Sequence, residues 1–219
     1  MTGDREAADR AAPSTAGASA TQPPIVNIAG EKVALGPLHG GLLPLLVRWE
    51  NDFMTMDLAG DNPQPRSAEA VAADWQPLIN GERPDWIGFA IYRLPDLDCI
   101  GHANIRDFRI RHRTAEFGIT IGDPRHRGQG YGTEATRLVL DFAFSVLGVH
   151  NVWLDTRADN IAACRAYARA GFKEIGRRRE AHRRGDQVTD VVLMDCLATE
   201  FVPPDKRSQR DLFRDLPSR

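Results

Sequence analysis

No apolar run in this sequence approaches the roughly 18 residues that a helical membrane span requires. Cysteine is scarce as well. Cys99, Cys164 and Cys196 are far apart and odd in number. That pattern fits neither a zinc site nor a disulfide framework, and it suits a reducing cytoplasm. A surplus of charge is missing too. Lys and Arg number 28 against 30 Asp and Glu, a formal net charge of -2. Such a balance offers no general attraction to nucleic acid or to an anionic membrane surface. The 6 histidines show no ligand spacing, so no metal is expected. The first residues lack the apolar core of a secretory signal, so none is expected.

Large apolar residues are absent from residues 1–24, apart from Met1. Ala, Thr, Ser, Gly and Pro fill that stretch. It cannot bury enough surface to offset its ordering entropy, which predicts a disordered N-terminal tail. Residues 201–219 are polar and charged, a second tail with a short helix expected near residues 211–216. Between them, residues 25–200 form one expected domain. The chain is 42% hydrophobic, ample for a core, and shows no internal repeat.

The interior reads as mixed α and β. Residues 31–35 look like a first strand. Residues 42–50 and 68–79 look helical, the second with Ser67 as its N-cap. Residues 86–94, 98–110 and 114–121 are rich in β-formers, with Pro95-Asp96 as a turn between the first two. Ala135, Leu138, Val139, Phe142, Ala143 and Val146 then recur at helical spacing across residues 133–147. Val152, Leu154 and Thr156 alternate as a strand does. Residues 160–170 read as a helix ending at Gly171. Residues 172–182 and 187–194 read as a hairpin around Arg184-Gly185-Asp186. The predicted order is βααβββαβαββ.

The chemistry is written between a strand ending at Ile121 and the helix that follows. Arg127-Gly128-Gln129-Gly130-Tyr131-Gly132-Thr133 places glycines at alternate positions, which lets backbone approach a bulky ligand. The helix start adds unpaired N–H groups and partial positive charge. Strand, glycine turn and helix N-terminus together suit a phosphate or pyrophosphate. Arg127 adds a fixed charge beside it. The phosphate loop of nucleotide hydrolases needs Gly-Lys-Ser/Thr, and no lysine follows Gly132. The dinucleotide fingerprint needs Gly-x-Gly-x-x-Gly, and the spacing here is Gly-x-Gly-x-Gly.

Arg127-Gly128-Gln129-Gly130-Tyr131-Gly132 resembles the Arg/Gln-x-x-Gly-x-Gly/Ala signature of the GNAT acetyltransferase superfamily. Residues 160–172, from Asn160 through Tyr167 to Gly171-Phe172, resemble the same superfamily's Asn-x-x-Ala…Tyr-x-x-x-Gly-Phe block. Residues 115–121, with Asp190 and Met194, resemble the branch of ribosomal-protein N-terminal and spermidine acetyltransferases. The resemblance covers about residues 30–200. It implies an α/β fold: a mixed, mostly antiparallel sheet flanked by helices. It also implies acetyl-CoA as co-substrate and transfer of the acetyl group to a primary amine.

The resemblance assigns roles residue by residue. The backbone of Ile119, Thr120 and Ile121 would pair with the pantetheine arm. Backbone N–H groups of Gly128, Gln129, Gly130, Tyr131, Gly132 and Thr133 would hold the pyrophosphate. Asn160 would contact pantetheine, capping its helix at the same time. Tyr167 would be the general acid for the leaving thiolate. Glu116 would be base or amine anchor, with a solvated strand-end glutamate as the bland alternative. Glu134, in a helix's first turn, reads as structural.

The acceptor end is weakly written. Trp49, Glu50, Asp52 and Phe53 sit where relatives often gate the acceptor, and helix surfaces commonly carry such residues too. The arginines at 109, 111 and 113, and at 177–179 with 183 and 184, read as solvated strand ends. Two alternatives stay open. One is an aminoacyl-tRNA donor, which the arginine clusters leave open. The other is a non-catalytic CoA-binding sensor. Acceptor identity and a homodimeric assembly are open as well.

Overall fold

The computed structural model describes residues 23–60 and 63–204. Most of the expected N-terminal tail, and the helix expected near residues 211–216, lie outside the described residues. The strands are β1 (Ile28–Ala29), β2 (Val33–Pro37), β3 (Ile87–Arg93), β4 (Asp98–Arg109), β5 (Thr114–Ile121), β6 (Asn151–Arg157), β7 (Lys173–Arg184) and β8 (Gln187–Leu197). The helices are α1 (Leu43–Glu50), α2 (Phe53–Ala59), α3 (Ala68–Ile79), α4 (Tyr131–Ser145) and α5 (Ile161–Ala170). One sheet runs β1-β2-β3-β4-β5-β6-β8-β7. Every neighbouring pair is antiparallel except β5 and β6.

The order expected from sequence recurs in full, with two additions. The first strand is two pieces, β1 and β2, because the chain turns at residues 30–32 and Gly30 N donates to Val33 O at 2.8 Å. The Glu134 carboxylate of α4 accepts from the backbone N–H of Glu31 and Lys32 across that turn. So the first-turn carboxylate is structural through a turn 102 residues away in the chain, beyond its helix dipole.

The second addition is α2. Its caps are local: Asp52 accepts from Met54 N at 3.1 Å, and Gly60 closes it at φ 87°. Its pattern is inverted. Phe53 and Met54 are 49% and 57% exposed, while Thr55 and Asp57 are 2% and 6% exposed. An apolar stripe cannot reveal a helix that buries its polar face.

Two cores lie on opposite faces of the sheet. Val33, Leu35, Phe89, Ile91, Ala103 and Ile105 pack with Ala135, Val139 and Ala143 of α4. Ala34, Ala90 and Tyr92 pack with Leu46 and Trp49 of α1 and Val71 and Trp75 of α3. With both faces covered, β2 and β3 read as continuous apolar runs. Ser67 caps α3 by accepting from Ala70 N at 3.1 Å. Phe201 packs its ring on Phe144, 5.2 Å between centroids.

Candidate active site

The parallel pair is short. β5 and β6 are matched only at Thr114–Asn151, Ala115–Val152 and Glu116–Trp153. β5 then stays paired with β4 as far as Ile121, and β6 with β8 as far as Arg157. Between residues 117–121 and 154–157 the sheet opens into a wedge, whose inner strand edges lack a ladder partner. Unmatched backbone of this kind is a template for an extended ligand.

Aromatic rings fill the apex. Phe117, Phe172 and Tyr167 meet at centroid distances of 6.3 Å (Phe117–Tyr167), 6.0 Å (Phe117–Phe172) and 5.9 Å (Tyr167–Phe172). Tyr167 reaches the wedge from α5, which Asn160 caps by accepting from Ala163 N at 3.2 Å. Gly171 ends that helix at φ 118°. The Tyr167 hydroxyl bonds to none of the described residues. Burial pushes its pKa up to about 12, so it keeps its proton at neutral pH.

Two cavities meet at the wedge. One of about 390 Å³ is lined by Arg127, Gly128, Gly130, Gly132, Thr133 and Asn160, among others. One of about 420 Å³ is lined by Trp75, Trp86, His102, Asn104, Arg106 and Glu116, among others. Leu58, Ala59, Ile119, Thr120 and Tyr167 line both. A group held between them would touch the tyrosine from either side.

The glycine turn is shaped for a ligand. Gly128 and Gly130 have φ of 72° and 88°, where side chains are strained. Gly132 is different: it is helical, and a Cβ there would meet nothing nearer than Ile121 Cγ1 at 3.7 Å. The protein itself does not demand glycine at 132, and the open space lies on the cavity side of α4. The first bond of α4 runs from Glu134 N to Gly130 O. The N–H groups of Tyr131, Gly132 and Thr133 therefore have no partner within the helix. An extended chain in the wedge with a pyrophosphate on this turn suits the arm and diphosphate of CoA.

Some expected site residues do other work. Arg127 turns its guanidinium beneath the loop, donating to Ile121 O at 3.0 Å and Thr55 Oγ1 at 2.7 Å. It ties the turn to α2, and it takes up the Ile121 carbonyl. Gln129 donates its side chain to Arg125 O at 2.6 Å. The Tyr131 ring lies edge-on to His126, 6.1 Å away. Glu116 lines the second cavity, ion-paired with Arg106.

The residues flagged for acceptor gating are structural. Trp49 is buried and stacked on His102 at 6.4 Å. Glu50 accepts from Trp75 Nε1 and binds Arg66 at 2.6 Å. Asp52 caps α2, and Phe53 faces solvent.

Several lining residues escaped the sequence reading. His102, Asn104 and Arg106 share one face of β4 and line the second cavity. His102 Nδ1 and Asn104 Oδ1 are buried with no hydrogen-bond partner among the described residues. Burial pushes the His102 pKa down to about 4, so the ring is neutral. Three polar residues at i, i+2 and i+4 in an apolar strand were a readable signal. So was the pair Arg165 and Arg169, one helical turn apart on α5, which line the first cavity. Thr55 and Leu58 came unseen with α2.

That helix roofs the wedge through buried ion pairs. Asp57 binds Arg157 at 2.6 Å and Arg184 at 2.8 Å, and Asn160 Nδ2 donates to Leu58 O at 3.3 Å. Burial alone would raise the Asp57 pKa; hydrogen bonds from Arg157 and Arg184 outweigh it and hold the carboxyl below the usual range. Among the described residues no three His, Cys, Asp or Glu side chains converge on a metal position. No helix there is long and apolar enough to cross a membrane.

Known proteins share this plan. The family model described as an acetyltransferase (GNAT) domain matches residues 33–173. Spermidine N(1)-acetyltransferase of Vibrio cholerae is 30% identical over 105 residues, 48% of this chain and 60% of that protein. The Escherichia coli K12 spermidine N(1)-acetyltransferase is 27% identical over 103 residues, 47% and 55% respectively. N-alpha-acetyltransferase RimI of Mycobacterium tuberculosis is 45% identical over 65 residues, 29% and 39%. The chain thus spans less than two thirds of the curated relatives it matches. The crystal structure of the Vibrio cholerae spermidine N-acetyltransferase with CoA and spermine superposes with a TM-score of 0.70. It has 24% identity over 78% of this chain and 98% of that one, a likeness of fold. With the matched model covering most of the domain, wedge and glycine turn included, this chain belongs to the acetyltransferase (GNAT) domain family.

Proposed function

We propose that the chain is an N-acetyltransferase that moves the acetyl group of acetyl-CoA to a primary amine of a small molecule or a protein N-terminus. The observation that carries this reading is the pair of cavities joined at Tyr167. The donor enters from the glycine-turn side, and the backbone of Ile119 and Thr120 aligns its arm in the wedge. The acceptor enters from the other side, past Trp75 and Trp86. Its neutral amine nitrogen attacks the thioester carbon, and the carbon–sulfur bond breaks. Tyr167 gives its proton to the departing sulfur, and the amine's surplus proton passes to solvent or to Glu116. Glu116, fixed by Arg106 at the last matched rung, anchors or deprotonates the amine. The relatives' names point to amines as acceptors and the cysteine usage to the cytoplasm. Thiol release from acetyl-CoA across an amine panel tests the reading. Amine-dependent release with acetylated product supports it. CoA binding without release in any amine returns the protein to a sensor role.

A further inference from the structure

The acceptor cavity carries no surplus of carboxylates, although two relatives of the chain are named for a polyamine. Its lining carries two carboxylates, Glu116 and Asp155, and three guanidiniums, Arg106, Arg157 and Arg178. Glu116 is already held by Arg106. Arg157 is occupied by Asp57 at 2.6 Å and Asp159 at 2.9 Å. Behind the lining, Asp57 also takes Arg184, and His182, itself a lining residue, stands 3.8 Å from it. What remains is an edge of opposite signs. Asp155 and Arg178 approach only to 3.7 Å, beyond hydrogen-bond reach, and the Arg178 guanidinium makes no hydrogen bond to a described residue. Its side chain is 60% exposed.

A polycation needs a surplus of carboxylates, one for each ammonium. Here Asp155 can serve one ammonium, and a second would have to displace an arginine from its carboxylate. An amine that also bears an acid presents both signs, as the Asp155–Arg178 edge does. Guanidinium N–H donors match carboxylate and phosphate oxygens in pairs. The apolar wall of Trp75, Leu78 and Trp86 suits a short hydrocarbon spacer.

We propose that the acceptor is a small amine carrying an acidic group, carboxylate or phosphate, and that Arg178 is the specificity residue that meets the acid. This deepens the acetyltransferase reading and rests on it for the direction of the amine. Three probes of equal chain length decide it: a linear ω-amino carboxylic acid, the matching aminoalkyl phosphate, and the matching diamine. Each is measured twice, by acetyl-CoA thiol release and by calorimetric binding in the presence of CoA. Either acidic probe should exceed the diamine by about 10-fold or more in kcat/KM and in affinity; the better one names the acid. Arg178→Gln should raise KM for the acidic probe by a similar factor, with a smaller change in kcat, and Arg178→Glu should invert the preference. A diamine preferred by the wild type overturns the inference and leaves acetyl transfer standing. Unchanged selectivity in both Arg178 variants overturns it as well. If no probe is turned over, acetyl transfer to these amines fails, and the binding ranking alone decides the charge preference.

Discussion

Glu116 of β5 faces Trp153 of β6 at the last rung the two parallel strands share. One residue later the strands part, and everything assigned to chemistry lies at or beyond that rung. The carboxylate is mostly enclosed and paired with Arg106, so it has a defined position from which to meet an amine. Glu116→Gln should lower kcat/KM for the acceptor by about 10-fold or more while leaving CoA affinity unchanged. Steady-state kinetics beside calorimetric CoA titration would separate the two. Wild-type kinetics would leave Glu116 as the structural partner of Arg106 alone.

Gly132 gives a cleaner test of the donor site than Gly128 or Gly130. Those two hold positive φ, so any side chain there strains the backbone. At Gly132 a valine meets no protein atom closer than ordinary contact at its Cβ and sits in a helix. Gly132→Val should fold normally and lose CoA affinity by about 10-fold or more, because the branched side chain fills the space beside the unpaired N–H groups. Undiminished affinity in a calorimetric titration would remove the pyrophosphate from this turn.

Asp57 holds the roof of the wedge. Removing its carboxylate leaves the buried Arg157 with Asp159 as its remaining acidic partner, at a cost of about 2 kcal/mol. Asp57→Asn should therefore lower stability to urea by roughly that much and weaken both substrates together. The folded pKa is depressed. The pair's stabilisation is thus present above the unfolded carboxylate value, about 3.9, and lost as pH falls through the lower folded one. A urea midpoint that does not move would mean that α2 is held by its other contacts.

His102 titrates with the opposite charge logic. Unfolded, it protonates near 6.5; folded and desolvated, near about 4. Between those values the unfolded chain binds more protons, so stability falls as pH drops through that window. The loss is on the order of 3 kcal/mol. His102→Gln should flatten the difference in urea stability between about pH 7 and about pH 4.5 relative to wild type. Equal slopes in both proteins would show that the ring is solvated.

Much of this site was legible because its signals are local. The glycine turn, the Asn160 cap, Tyr167 and Gly171 follow one another at spacings set by a helix and its ends. β5 was read to its observed bounds because Thr114–Ile121 is a run of β-formers between two turns. What sequence hid is long-range or inverted. α2 buries Thr55 against Arg127 and Asp57 against Arg157 of β6 and Arg184 of β7, and no local pattern announces a partner 100 residues away. Arg127 also serves Thr55, a partner that only the fold brings to it. The cavity wall formed by His102, Asn104 and Arg106 depends on which face of β4 is buried, although their alternation is visible in the sequence.

The central claim is that the wedge places a thioester beside Tyr167. Phenylalanine keeps the ring's packing on Phe117 and Phe172 and removes only the hydroxyl. With acetyl-CoA saturating and enzyme in excess, single-turnover thiol release by Tyr167→Phe measures the step directly and is blind to product release. The account predicts a rate lower by roughly two to four orders of magnitude with CoA affinity unchanged. A wild-type single-turnover rate would contradict it, leaving Tyr167 a packing residue and the proton to come from elsewhere.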